Sequence, residues 1–240
     1  MGTYGSRSMY LGGHAILKAC ERIKEKALLA ASHLLEARVE DIEFKEGKFF
    51  VKGVPTKTLT LKEIAQELSF MKKLPSNVEP GLEATAFYEP TSTTFPFGTH
   101  IALVEVDRET GMVSIKKYVA VDDCGKIINP LMVEGQIHGG VAQGLAQALY
   151  EELIYDNNGQ VLNSTLMDYF VPTALEVPNM ILDNTVTPSP TPLGVKGIGE
   201  AGTIVSTPTI ANAVADALSL LGKKVNTLPL KPETVWKALR

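Results

Sequence analysis

Cysteine is scarce in this sequence. Cys20 and Cys124 are the only two among 240 residues, far apart and without metal-ligand spacing. That argues against a disulfide scaffold, a zinc site or an iron–sulfur cluster built from this chain. Long apolar runs are missing too. None reaches the ~20 residues that span a bilayer, and the N-terminus carries no signal-peptide pattern, so a cytoplasmic location without a membrane span is expected. An excess of one charge is also lacking: 23 Lys and Arg face 27 Asp and Glu, a net charge of −4. Such a balance gives no electrostatic footprint for nucleic acid or an anionic membrane. Internal repeats and low-complexity tracts are absent as well.

Glycine and proline, by contrast, cluster. The chain has 20 Gly and 14 Pro, gathered with small polar residues into a few segments. Between those segments the periodicity predicts an α+β protein. Residues 11–37 read as a helix, with Ile16, Ile23, Ala27, Ala30 and Leu34 at helical spacing. "DIEFKEGKFFVKG" reads as a hairpin turning at Glu46-Gly47. Thr60 to Glu63 is a capping box opening a short helix through Ile64 and Leu68. These elements form an α/β lobe at about 11–78, ending in a linker at 71–81. The main lobe, about 79–240, starts with a strand at "LEATAFYE", then a hairpin turning at Glu109-Thr110-Gly111. Asn129-Pro130 offers a cap and first-turn proline for a helix reaching about Tyr150. "YDNNGQ" is a turn and "NMILDNTVTP" a strand. Thr207-Pro208 opens a last helix that buries Ile210, Val214, Ala217 and Leu221.

Three loops carry candidate chemistry. "GVKGIGEAGTI", 194–204, packs four glycines around Lys196 and one carboxylate, Glu200. Glycines let a backbone approach something closely, yet a carboxylate repels phosphate. Glu200 can serve as a general base, though for a carboxylate read from its residues alone the commoner role is a helix-cap partner or an ion-pair partner of Lys196, itself readable as a surface charge. "VDDCGKIINP", 121–130, leaves a strand through Gly125 and enters a helix, a junction that aims N–H groups at an anion. Cys124 there reads best as a packed residue, and His138 as a structural histidine. "GTYGSRS" offers Thr3, Tyr4, Gly5, Ser6, Arg7 and Ser8 as donors suited to phosphate, without the register of a Walker loop. In the helix between, Gln136, Gly140, Gln143 and Gln147 share one face. The glycine there sacrifices roughly 1 kcal/mol per residue relative to alanine, which close approach to another element or ligand would explain. A solvated polar face is the alternative reading of the glutamines.

"GTYGSRS", "VDDCGKIINPLMVEGQIHGGVAQGLAQALYEE", "MDYFVPTA" and "GVKGIGEAGTI", in this order, resemble the molybdenum hydroxylases. That family contains the large subunits of aerobic carbon monoxide dehydrogenase, aldehyde oxidoreductases and xanthine dehydrogenases. The resemblance covers essentially all of this chain but only the C-terminal part of the family's large subunit. It implies that Glu200 is the catalytic base, taking a proton from a metal-bound hydroxyl beside the molybdenum. It further implies that Thr3, Tyr4, Gly5, Ser6, Arg7, Ser8, Cys124, Gly125, Lys126, Asn129, Gln136, Lys196, Gly197 and Gly199 bind a molybdopterin dinucleotide, expected as the cytosine form. The metal would be carried by the pterin, with no protein ligand from this chain. Iron–sulfur clusters and FAD would sit on partner chains. The family's N-terminal half is absent here, through a split gene or a shortened chain. The N-terminal loop is then expected to be mobile, the glycine loop open to water, and the uncovered side prone to self-association as a homo-oligomer. The expected activity is oxidation of carbon monoxide or an aldehyde in a multi-chain complex; the competing reading is a non-catalytic structural subunit of the same fold.

Overall fold

The computed structural model describes residues 2–70 and 78–240; the expected linker at 71–81 falls mostly outside them. The chain divides into two compact units, Leu11–Glu89 and Met1–Tyr10 with Pro90–Arg240.

A π-helical stretch, Ser8–Gly13, runs into α1, His14–Leu34, the first α-helix of the smaller unit. Three antiparallel strands follow, β1 (Ile42–Lys45), β2 (Lys48–Val51) and β3 (Val54–Thr60), then α2 (Leu61–Phe70). Glu46 and Gly47 both have positive φ, 49° and 75°. That turn matches the right-handed twist of the strands it joins, with glycine at the second site. The capping box forms as its spacing predicts: Thr60 N and Oγ1 donate to Glu63, and Glu63 N donates back to Thr60 Oγ1. Ala27, Ala30, Phe49, Ile64 and Leu68 close the core. Residues 82–89 do not form the expected strand. Their exposure alternates with period two, but no strand among the described residues pairs with them. Instead the Arg22 guanidinium donates to the Thr85 carbonyl, and Tyr88 stacks on His14 at 4.4 Å.

The larger unit is a sheet covered on one face by helices. β4 (Phe97–Val106) and β5 (Val113–Asp123) form the long hairpin, and β6 (Met180–Asn184) lies parallel to β5. The turn is fastened by the Asp107 carboxylate, which accepts from the N–H groups of Glu109 and Thr110. α3 (Pro130–Leu149), α4 (Ala201–Ser219) and α5 (Pro232–Leu239) complete the unit. Tyr118, Ala120, Ile137, Val141, Leu145, Ile210, Val214 and Leu218 form its core. Among the described residues, no helix is long and apolar enough to cross a membrane.

The contact between α3 and α4 explains the glycines of α3. A Cβ on Gly140 would lie 2.9 Å from the Gly202 Cα, and one on Gly202 would lie 2.7 Å from the Ile137 carbonyl oxygen. The glutamines are not a purely solvated face. Thr203 Oγ1 donates to Gln143 Oε1, and Thr207 Oγ1 to Gln147 Oε1. α4 also corrects the sequence reading, because it starts at Ala201, directly after Glu200, and runs through Pro208. Its first turn is seated on α3 by Gly202, so one missing N–H does not end it. The register then buries Leu218, while Leu221 lies beyond the helix and is exposed.

Candidate functional site

The end of β5 and the glycine loop are fastened together. Lys196 N donates to Cys124 O at 2.7 Å, and Lys126 N to Gly194 O at 2.8 Å, with Gly125 and Val195 bridged between them. Gly125 has φ +68°, and a Cβ there would fall 2.4 Å from Gly194 O. The amides at 125 and 126 are thereby used inside the protein, Gly125 N donating to Asp123 Oδ1. This corrects the expectation that both aim at an external anion.

Lys196 is neither a surface charge nor the partner of Glu200. Its ammonium is buried, 2.8 Å from Asp123 Oδ1, bonded to Thr187 Oγ1 and lying 4.6 Å from the Phe97 ring centre. Burial alone would raise the Asp123 carboxyl. The Lys196 hydrogen bond, the Gly125 N–H, the Lys196 charge and the Thr185 hydroxyl together hold it below the usual carboxylate range. Cys124 is a buried thiol pushed up first by burial and then by the Asp123 charge, which fits packing and not a thiolate. His138 bonds the Glu134 carbonyl of its own helix.

The N-terminal loop crosses directly over the glycine loop. A Cβ on Gly197 would lie 2.3 Å from Ser6 O, so only glycine fits beneath it. Gly5 and Ser6 both have positive φ, 64° and 53°. That turn brings Gly5 N to 3.2 Å from Glu200 Oε1 and Ser6 Oγ to 3.3 Å from Oε2. Glu200 N donates back to Ser6 Oγ at 3.0 Å. The segment expected to be loose is therefore held by the loop it faces. Arg7 folds onto its own loop, bonded to Gly2 O at 2.6 Å and stacked over the Tyr4 ring at 3.9 Å.

Glu200 occupies the N-cap position of α4 without a side-chain cap bond, so the cap reading of its carboxylate does not hold. The residue is exposed, as is Gly199. A Cβ on Gly199 would be 3.5 Å from Gln136 Oε1 and 3.7 Å from Ser6 Oγ. Ser6, Gln136, Gly197, Gly199 and Glu200 thus share one place. Asn129 does cap α3, its Oδ1 accepting from Met132 N. Thr3, Ser8 and Lys126 are exposed, and Lys126 makes no ion pair among the described residues.

Sequence reasoning missed the buried polar residues behind this surface. Asp123 is the main one. His100 is another, held between the Tyr118 hydroxyl at 2.9 Å and Asp122 Oδ2 at 3.1 Å. The consecutive carboxylates of "VDDC" at a strand end were the available signal. Alternation along a strand sends them to opposite faces, where each needs its own partner.

The model of the molybdopterin cofactor-binding domain family matches residues 1–178. The carbon monoxide dehydrogenase large chain of Hydrogenophaga pseudoflava is 42% identical over 241 residues, covering 100% of this chain and 30% of its own length. The nicotine 6-hydroxylase large subunit of Paenarthrobacter nicotinovorans is 39% identical over 241 residues, with the same coverages of 100% and 30%. The crystal structure of the Cu,Mo-CO dehydrogenase in its carbon monoxide reduced state matches with a TM-score of 0.86 and 42% identity, over 99% of this chain and 30% of that one. The chain spans under a third of the length of the relatives that it matches.

Proposed function

This chain belongs to the molybdopterin cofactor-binding domain family, as a C-terminal molybdenum-binding part of the molybdenum hydroxylases, and we propose that it forms the cofactor-facing wall of an oxidoreductase in which Glu200 is the base. One observation carries the reading. The donor-rich N-terminal loop and the glycine loop meet around a single exposed carboxylate.

The residues fit the cofactor by their donor chemistry. Hydroxyls of Thr3 and Ser8, the Gln136 amide and the Lys126 ammonium, which makes no ion pair among the described residues, are exposed. Such donors suit the phosphates and polar ring edges of a pterin dinucleotide, in the cytosine form on our reading. On our reading the pterin carries the metal, and among the described residues no group of three or more His, Cys, Asp or Glu could hold one. When bound, the cofactor supplies the two-electron redox chemistry while water provides the oxygen.

This chain then does three things. The loops position the dinucleotide. Gly197 and Gly199 keep the backbone thin where it approaches. Glu200 takes up the proton on a carboxylate oxygen as the nucleophile forms. Among the described residues no lysine pairs with that carboxylate, and Lys196 is spent on Asp123. We assign carbon monoxide or an aldehyde as the substrate, which the likeness to the Hydrogenophaga large chain supports. The N-terminal half of the large subunit and chains carrying iron–sulfur clusters and flavin complete the enzyme, located in the cytoplasm.

The test is cofactor retention. In the assembled enzyme, Lys126→Ala combined with Arg7→Ala should lower the pterin released per protein on denaturation several-fold. Unchanged pterin content would remove these loops from the cofactor site.

A further inference from the structure

The glycine loop has little regular structure of its own. Pro188, Pro190 and Pro192 precede Gly194, Gly197 and Gly199, and no strand ladder holds them. The backbone ties to the sheet are the Lys196 N–H on Cys124 O and the Lys126 N–H on Gly194 O. Ser189 and Thr191 hydroxyls both donate to the Val195 carbonyl, folding the loop on itself. Among the described residues, one charged contact joins this loop to the end of β5, the Lys196–Asp123 pair, with side chains 7% and 0% exposed. Asp123 gathers three segments at once. It accepts from Lys196 of the glycine loop, from Thr185 beyond β6 and from Gly125 of its own turn.

From Lys196 the chain reaches Glu200 in four residues. Gly197 is trapped under Ser6, Ile198 packs against the core, and Ala201 and Gly202 are buried on the far side. Glu200 is thus fixed from behind by α4 and from in front by the segment that Lys196 anchors.

We propose that Lys196 and Asp123 are positioning residues, a buried latch that sets where the glycine loop holds Glu200. The proposal rests on the reading of Glu200 as base. Neither residue touches the reacting atoms; both act through the loop. The physical cause is the asymmetry of buried charge. Breaking the pair from one side strands a charge in the interior, whereas replacing both members by neutral groups is often harmless to stability. Stability and positioning can therefore be separated.

The experiment compares Lys196→Met with the double variant Asp123→Asn/Lys196→Met. Hydrogen exchange and thermal melting are read on the protein itself, and kcat, KM and molybdenum content on the holoenzyme. Lys196→Met should lower the melting temperature and speed amide exchange in residues 194–204 and 2–8 about tenfold or more, with α3 unaffected. The double variant should melt near wild type, yet keep the fast loop exchange. Its kcat should stay low by up to about a hundredfold, the scale of a misplacement near 1 Å, at unchanged KM and full molybdenum. Recovery of loop protection and kcat together with melting would overturn the proposal, leaving the pair a purely structural contact. A double variant melting no better than Lys196→Met would also overturn it. Wild-type turnover in Glu200→Gln would defeat the base reading instead, and the exchange data would still decide whether the pair holds the loop.

Discussion

Asp123 shows how one side chain settles what its neighbours can do. Lys196 stands 73 residues further along the chain, so no local pattern joins them; the sequence offered Glu200 or solvent as its partners. Glu200 stood out in the sequence as a lone carboxylate among glycines, with a helix cap or an ion pair to Lys196 as its structural alternatives. The contact that Ser6 makes with it did not, since a short polar loop carries no periodicity to place it. The lowered carboxyl of Asp123 has a consequence for acid stability. A group whose folded value lies below its unfolded one stabilises fully above the unfolded value, about 4 for Asp, and loses that contribution as pH falls through the folded value. Glu63, Asp107, Glu176 and Glu233 are shifted the same way through exposed hydrogen bonds or ion pairs, so acid sensitivity alone is not diagnostic. The difference between wild type and Asp123→Asn is. Urea midpoints measured from about pH 7 to pH 3 should converge as the medium becomes acid. Parallel curves would show that the carboxyl is not held low.

At the scale of elements, periodicity and end signals did well where packing is local. The Asn129-Pro130 start of α3 and the Thr60–Glu63 box needed only neighbouring residues. At Thr173–Glu176 the Thr173 N and Oγ1 likewise donate to the Glu176 carboxylate, but the return bond to Thr173 Oγ1 comes from Leu175 N; Pro178 stops any helix after its first turn, so the pattern passed unnoticed. Residues 82–89 have the alternation of a strand but lack a partner strand, which no single segment reveals. Pro208 misled for a related reason. Its usual place at a helix start was overridden by the seat that Gly202 takes on α3. The glycines of α3 allow a sharp contrast. Gly139→Ala faces open space and should raise stability by up to about 1 kcal/mol through helix propensity. Gly140→Ala meets the α4 backbone at 2.9 Å and should cost about 1–3 kcal/mol through overpacking. Chemical denaturation of the two variants checks this, and equal shifts would refute the close approach of α3 to α4.

For the whole molecule, the α+β class followed from patterning, while the site depended on the larger unit bringing together residues 2–8 and 194–200 from opposite ends of the chain. Residues 2–10 belong to the same compact unit as Pro90–Arg240 and not to that of α1. The chain covers 30% of the length of its carbon monoxide dehydrogenase relative. In the enzyme proposed above, the Glu200 carboxylate moves the proton. The direct measurement is turnover together with molybdenum content in Glu200→Gln, which keeps the shape of the side chain and removes its basicity. The account predicts full molybdenum loading with turnover lowered about a hundred- to ten-thousandfold, the usual range for a lost general base. Turnover close to wild type at full loading would contradict it.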